Sequence, residues 1–171
     1  MTFTVQDATV APFVAGLTNM RAWLDKAADA EATLIGARLA ADMHPLPFQY
    51  QTASDTAKNA IARLAGIEAP TMADTEASFA ELKDRCARTV DFIQGVDPAA
   101  LAGSEQREVE LRFRNGMGYR LAGAAFLTGF ALPNFYFHMT TAYAIMRQAG
   151  VPLGKPDFLR HLGPPNLAPG A

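Results

Sequence analysis

The sequence predicts an all-α domain, a four-helix bundle with one small β element, on three observations. Apolar residues recur at alternating three- and four-residue spacing in three separate stretches, as in helices with one buried face. A fourth stretch, Leu121 to Met146, contains no Asp, Glu, Lys or Arg, as expected at the centre of a bundle or under a subunit interface. One segment breaks into period-two alternation around an Asn-Gly pair. At 171 residues, 50% hydrophobic and 19% charged, the chain has the length and composition of one domain with its own core.

The first helix is expected from about residue 10 to 30, with Val10, Phe13, Val14, Leu17, Met20, Leu24 and Ala28 on one stripe. Pro12 suits its first turn and would kink a helix that began earlier. The next segment ends in "HPLP" and reads as a long first crossover with at most a short helical turn. A second helix is expected from about Leu46 to Leu64, stopped by Gly66 in the usual left-handed position after a helix. Its face of Phe48, Ala53, Ala57, Ala60, Ile61 and Leu64 implies close packing on a neighbour.

Ser78 followed by Glu81 is a capping box, and Phe79, Leu82, Cys86, Val90 and Ile93 continue as a third stripe until Gly95 and Pro98. Val109, Leu111 and Phe113 then alternate with charged residues, and Asn115-Gly116 precedes Tyr119 and Leu121. That pattern predicts a β-hairpin. The fourth helix is expected from about Gly123 to Gln148, ending at Gly150. The domain is expected to span 1–160, with Leu153, Phe158 and Leu159 anchoring the start of the tail and 161–171 flexible.

Several function classes lose their support here. A net charge of −2, a pI near 5.9 and no Lys/Arg cluster argue against a nucleic-acid partner. One cysteine permits no intramolecular disulfide, and the first residues lack a signal-peptide pattern, so a cytoplasmic location is expected. The charge-free run is long enough to span a bilayer. It nevertheless carries Pro133, Asn134, His138 and three threonines, so a soluble bundle without a membrane partner is the reading. Cys86 lies on an apolar stripe and reads as a structural thiol. There is no HExxH, paired-cysteine motif, Walker loop, GxGxxG or nucleophile elbow. The acidic and basic residues of the hairpin read as a solvated face, and Phe135, Tyr136, Phe137 and Tyr143 as core and interface.

The remaining candidate is the helix-four proline with the polar pair beyond it. Pro133 donates no backbone hydrogen bond and its ring crowds the carbonyl of Gly129, which predicts a kink. Asn134 and His138 lie one turn apart on the same face beyond it. A polar pocket beside the kink is one reading, and a hydrogen-bonded core histidine is the other. His44 and His161 are not joined to His138 by any spacing, and zinc needs three or four well-placed N or S donors.

Two blocks carry a family resemblance. "PNFYFHMTTAYAIMRQAGVPLGKPDFL" (133–159) and "MHPLPFQYQTASDTAKNAIARLAG" (43–66) resemble the C-terminal signature and second helix of an uncharacterised bacterial domain-of-unknown-function branch of the DinB-like superfamily. The resemblance implies a four-helix bundle, often dimeric. The better-understood members of the superfamily hold a divalent metal with one helix-two histidine and an HxxxH pair on helix four, and some are transferases acting on low-molecular-weight thiols. His138 matches the second histidine of that pair, Asn134 stands at the first, and the helix-two histidine falls near Gln51, or Gln49 or Thr52 if the register slips.

Two of the three ligand positions therefore depart from the metal pattern, and neutral amides are poor zinc ligands. The resemblance places a small-molecule pocket between helices two and four at Gln51, Asp55, Asn134 and His138, with no cofactor expected. The alternatives are a divalent metal on His138, with Gln51 and Asn134 at the other ligand positions in a thiol transferase, and a non-catalytic structural or interaction protein. A homodimer is expected, because helix four is apolar on too many faces for one set of neighbours.

Overall fold

The structure, a computed structural model, describes residues 4–113, 115–164, 166 and 167. Its long helices are α1 (Val5–Lys26), α2 (Leu46–Ala65), α3 (Phe79–Gly95) and α4 (Leu132–Gln148). An antiparallel pair, β1 (Glu108–Arg112) and β2 (Gly118–Ala122), lies before the last helix.

Helix α1 begins about five residues before its expected start. The Thr4 hydroxyl accepts from the Asp7 amide at 3.2 Å while the Asp7 carboxylate accepts from the Thr4 amide at 2.9 Å, a reciprocal cap that starts the helix there. Pro12 consequently lies inside α1 rather than in its first turn. The crossover after α1 holds two short turns, Ala28–Ala30 and Glu31–Leu34. Helix α2 matches its expected bounds within a residue and ends at Gly66, whose φ of 70° suits glycine. The Arg107 guanidinium donates to the Leu64 carbonyl and so satisfies an acceptor left open at that end.

Ser78 caps α3 by accepting from the Glu81 amide at 3.2 Å. The Glu81 carboxylate returns to the amide of Ala77, one residue earlier than in a strict capping box. In the hairpin Val109 pairs with Leu121 and Leu111 with Tyr119, and the chain reverses between Phe113 and Met117. Val109 and Leu111 are buried, while Glu108 and Glu110 point outward and pair with Arg112 and Arg120.

The last helical segment runs from Gly123 but is not uniform. An α-turn, Gly123–Phe126, passes into a π-helical stretch, Leu127–Ala131, before α4 begins. The Leu132 amide reaches the Leu127 carbonyl, five residues back. The sequence places a kink at Pro133, and the structure puts the irregularity one turn earlier. A π turn ahead of a proline relieves the crowding that the ring would impose on an α-helical ladder, by taking one extra residue into the turn.

Helix α1 packs on α3 and α2 on both α3 and α4, closing a four-membered ring round the core. Phe13, Leu17, Met20, Trp23, Tyr50 and Phe135 are essentially inaccessible to water. Gly16 permits the closest approach of α1 to α4, since a Cβ there would stand 2.7 Å from the Phe135 ring. Beyond α4, Val151 and Leu153 are buried. Helix α1 also clamps the next turn: Asn19 donates to the Phe158 carbonyl at 2.8 Å and Trp23 to that of Asp157 at 3.1 Å. A 3-10 turn comes next at Arg160–Leu162. Of the segment read as a loose tail, 165 and 168–171 lie outside the described residues. Among the described residues no helix is long and apolar enough to cross a membrane.

The most concentrated polar feature is at the α2–α3 seam. Arg85 has no exposed surface, and its guanidinium donates to Glu76 at 2.9 Å and to the Ala73 carbonyl at 2.9 Å. It is also ion-paired with Asp55 at 2.9 Å and Asp74 at 3.1 Å. Burial raises the Glu76 pKa, but the bonds from Arg85 and Gln51 outweigh it and hold the carboxyl below its ordinary range. Arg85→Ala leaves these carboxylates without their cation, and should cost about 3–5 kcal/mol, read as a lower urea midpoint at unchanged slope. A depressed carboxylate contributes stability that is present above its unfolded pKa and lost as pH falls through its folded one. The native chain should therefore lose stability below about pH 4.5, the ordinary value for Glu76, more steeply than the Arg85→Ala variant.

Candidate functional site

Asn134 and His138 share a face, as their spacing predicts, and that face meets α2, as the resemblance implies, but Gln51 and Asp55 do not meet them there. The Gln51 amide donates to Glu76 at 3.0 Å, and Asp55 pairs with Arg85 at 2.9 Å and with Lys58 at 3.3 Å. Both belong to the α2–α3 seam. The α2 residues that face α4 are Gln49 and Thr56. At 3.6 residues per turn, Gln51 lies about 160° round the helix from Gln49, so the four expected pocket residues divide between two faces of α2. Gln49, Thr52 and Thr56 run at three- and four-residue spacing, a polar stripe that could have been read in the sequence beside the apolar one.

The seam is a ladder of neutral polar groups. The Asn134 amide donates to the Thr56 hydroxyl at 2.7 Å, and that hydroxyl donates to the Thr52 carbonyl at 2.7 Å. Further along, the Gln49 amide donates to the His44 carbonyl at 3.0 Å, and its oxygen lies 2.8 Å from His138 Nδ1. Because Gln49 commits its N–H to His44, it meets the imidazole with an acceptor. Nδ1 is therefore the protonated nitrogen, and Nε2 carries the lone pair.

His138 is half-buried, with the Phe48 and Phe137 rings edge-on to it at 6.0 and 5.2 Å. Burial, with His44 as a smaller influence, pulls its pKa down to about 4. The ring is neutral at pH 7 and can accept a hydrogen bond or a proton at Nε2. The His44 ring stacks on Phe48 at 3.8 Å. His161 is elsewhere, with Nδ1 at 3.2 Å from the Asn19 amide nitrogen. Cys86 is fully buried and its thiol is pushed up to about 12, mainly by burial, which makes it an inert packing group.

These donors do not fit the metal centre of the better-understood superfamily members. The side chain hydrogen-bonded to His138 is the Gln49 amide, and Asn134 is bonded to the Thr56 hydroxyl; neutral amide and hydroxyl oxygens are weaker ligands for such a dication than the imidazole nitrogens they stand in for. Among the described residues no group of three or more His, Cys, Asp or Glu side chains is arranged to hold a metal ion.

Comparison with known proteins agrees with the fold. Residues 5–159 match the family model of a domain of unknown function, DUF1993, and the chain belongs to that family. It is similar to a crystal structure of a DinB family member protein from Shewanella denitrificans, at 36% identity and a TM-score of 0.83, covering 96% of this chain and 94% of that one. The fold class is that of the DinB-like bundles. None of the curated proteins matches the chain.

The depressed imidazole makes a prediction with a definite sign. Between about pH 4 and the ordinary 6.5 the unfolded chain binds a proton that folded His138 does not. Stability should fall as pH drops from 6.5 towards 4, by on the order of 2 kcal/mol. His138→Gln should flatten that part of the curve. Imidazole nitrogen shifts should report the Nδ1–H tautomer in the native chain and a mixture in Gln49→Ala.

Proposed function

We propose that the chain is a cytoplasmic, homodimeric DinB-like bundle that binds a small polar molecule at the α2–α4 seam without a three-histidine metal centre. The reading rests on one observation, the neutral His138 held through Nδ1–H on Gln49, with Nε2, among the described residues, neither bonded nor sealed from the surface. A site of fixed amides and one imidazole acceptor, bordered by Phe48 and Phe137, suits an uncharged ligand with a donor group. The dimer reading is supported by the exposure of Tyr136 and Phe137, at 39% and 57%, on a helix face without charge.

A second reading has a specific observation in its favour. A histidine that donates through one nitrogen and offers the other is arranged as metal-ligating histidines are. A divalent-metal-dependent transferase acting on low-molecular-weight thiols would use His138 as its first ligand, and would need others that Gln49 and Asn134 do not supply.

Metal stoichiometry by mass spectrometry, on untagged protein before and after incubation with Zn, Ni, Mn and Fe salts, separates the two. The small-molecule reading expects no retained metal, and fragment-screen hits that shift the His138 ring and are lost in His138→Ala and Asn134→Ala. Near-stoichiometric metal that disappears in His138→Ala would overturn it. Light scattering should give a dimer mass that falls towards the monomer in Phe137→Glu. A monomeric native chain would remove the dimer.

A further inference from the structure

We infer that a second site, on the opposite side of the bundle from His138, binds a hydroxylated phosphate ester in the cleft between α1, α3 and the Arg160–Leu162 turn. The cleft is open to solvent, has a volume of about 440 Å³ and is lined by Arg21 and Asp25 from α1, Lys83 and Asp84 from α3, and Arg160 from the turn. That volume lies within the range of small-metabolite sites and exceeds what a bare inorganic ion fills.

The charges do not balance within it. Lys83 is paired with Asp25 at 2.8 Å, and Asp84 with Arg88 at 2.8 Å. The neighbouring Asp157 is taken by Lys26 at 2.6 Å and by the Gly154 amide at 2.8 Å. Arg21 and Arg160 remain: among the described residues neither has a carboxylate within ion-pair distance, although Arg160 lies near enough to Asp157 to help lower its pKa. The Nε–H of Arg21 is in addition buried with no acceptor. An N–H that has lost water and gained no acceptor is costly.

Arg160 is held there by construction. Buried Asn19 and Trp23 spend their side-chain donors on the carbonyls of Phe158 and Asp157, and Lys26 pairs with Asp157, so α1 fixes the turn that carries it. Two guanidinium forks on one cleft match the oxygens of a phosphate dianion. Asp25 and Asp84 can only accept hydrogen bonds, which suits hydroxyl groups on the remainder of the ligand.

The test is a titration of the full chain with glycerol 1-phosphate, inorganic phosphate and glycerol at constant ionic strength. The readouts are calorimetry and the Arg21 Nε–H signal in an NMR spectrum. The ester should bind, shift that signal and raise the melting temperature, whereas glycerol should do none of these. Affinity should fall about tenfold in Arg160→Ala, an exposed position whose loss leaves the core intact, and stay unchanged in His138→Ala. Equal affinity in Arg160→Ala, or no effect beyond that of chloride, would overturn the site. Binding of inorganic phosphate with exclusion of the ester would overturn the ligand class.

Discussion

The rotation of α2 about its own axis depends on one buried cation. Arg85 has no contact with water and requires anions and carbonyls around it, and α2 contributes Asp55 together with Gln51, which joins the same network through Glu76. Turning α2 by even one residue's worth of angle would strand this guanidinium, at a cost of several kcal/mol. With Gln51 and Asp55 committed to α3, the opposite side of the same helix must face α4. That side is Gln49, Thr52 and Thr56. The position of the candidate site is thus set by an ion network on the other side of the helix that carries half of it.

The connection between α2 and α3 is tied into the same network. Glu76 and Asp74 belong to it, and Lys58 donates to the Pro70 carbonyl at 2.7 Å from an almost fully buried position. A segment with no regular structure is thereby fixed by charged side chains rather than by apolar contacts. The electrostatics of the two seams differ accordingly. The α2–α3 seam contains full charges that compensate one another, while the hydrogen bonds of Asn134 and His138 to α2 join neutral groups, and the histidine stays uncharged because burial penalises the imidazolium.

The last helix shows how a local conflict is resolved over several residues. Pro133 would break an α-helical ladder, yet α4 continues to Gln148 because the π turn before it redistributes the strain. The extra residue in that turn also offsets the helix on its two sides in phase. Phe126 and Leu127 pack in the core ahead of it, and Asn134 and His138 meet α2 beyond it. π turns are frequent at functional positions, and here one lies immediately ahead of the proposed site.

The sequence by itself determined the class of fold, the spans of α2 and α3 and the hairpin with its apolar face, because each rests on local signals: periodicity, caps, a stopping glycine and an Asn-Gly turn. It also determined that Asn134 and His138 share a face, since four residues make about one helical turn. The start of α1 was written in Thr4 and Asp7, where an Asp in place of Glu made the cap easy to pass over. Which face of α2 meets His138 was a different kind of question. Gln49 and Gln51 are the same residue type two positions apart, and nothing local distinguishes them. Only the tertiary structure decided between them, because the choice depends on Arg85, more than thirty residues away in the chain, and on the carboxylates that burial forces to surround it.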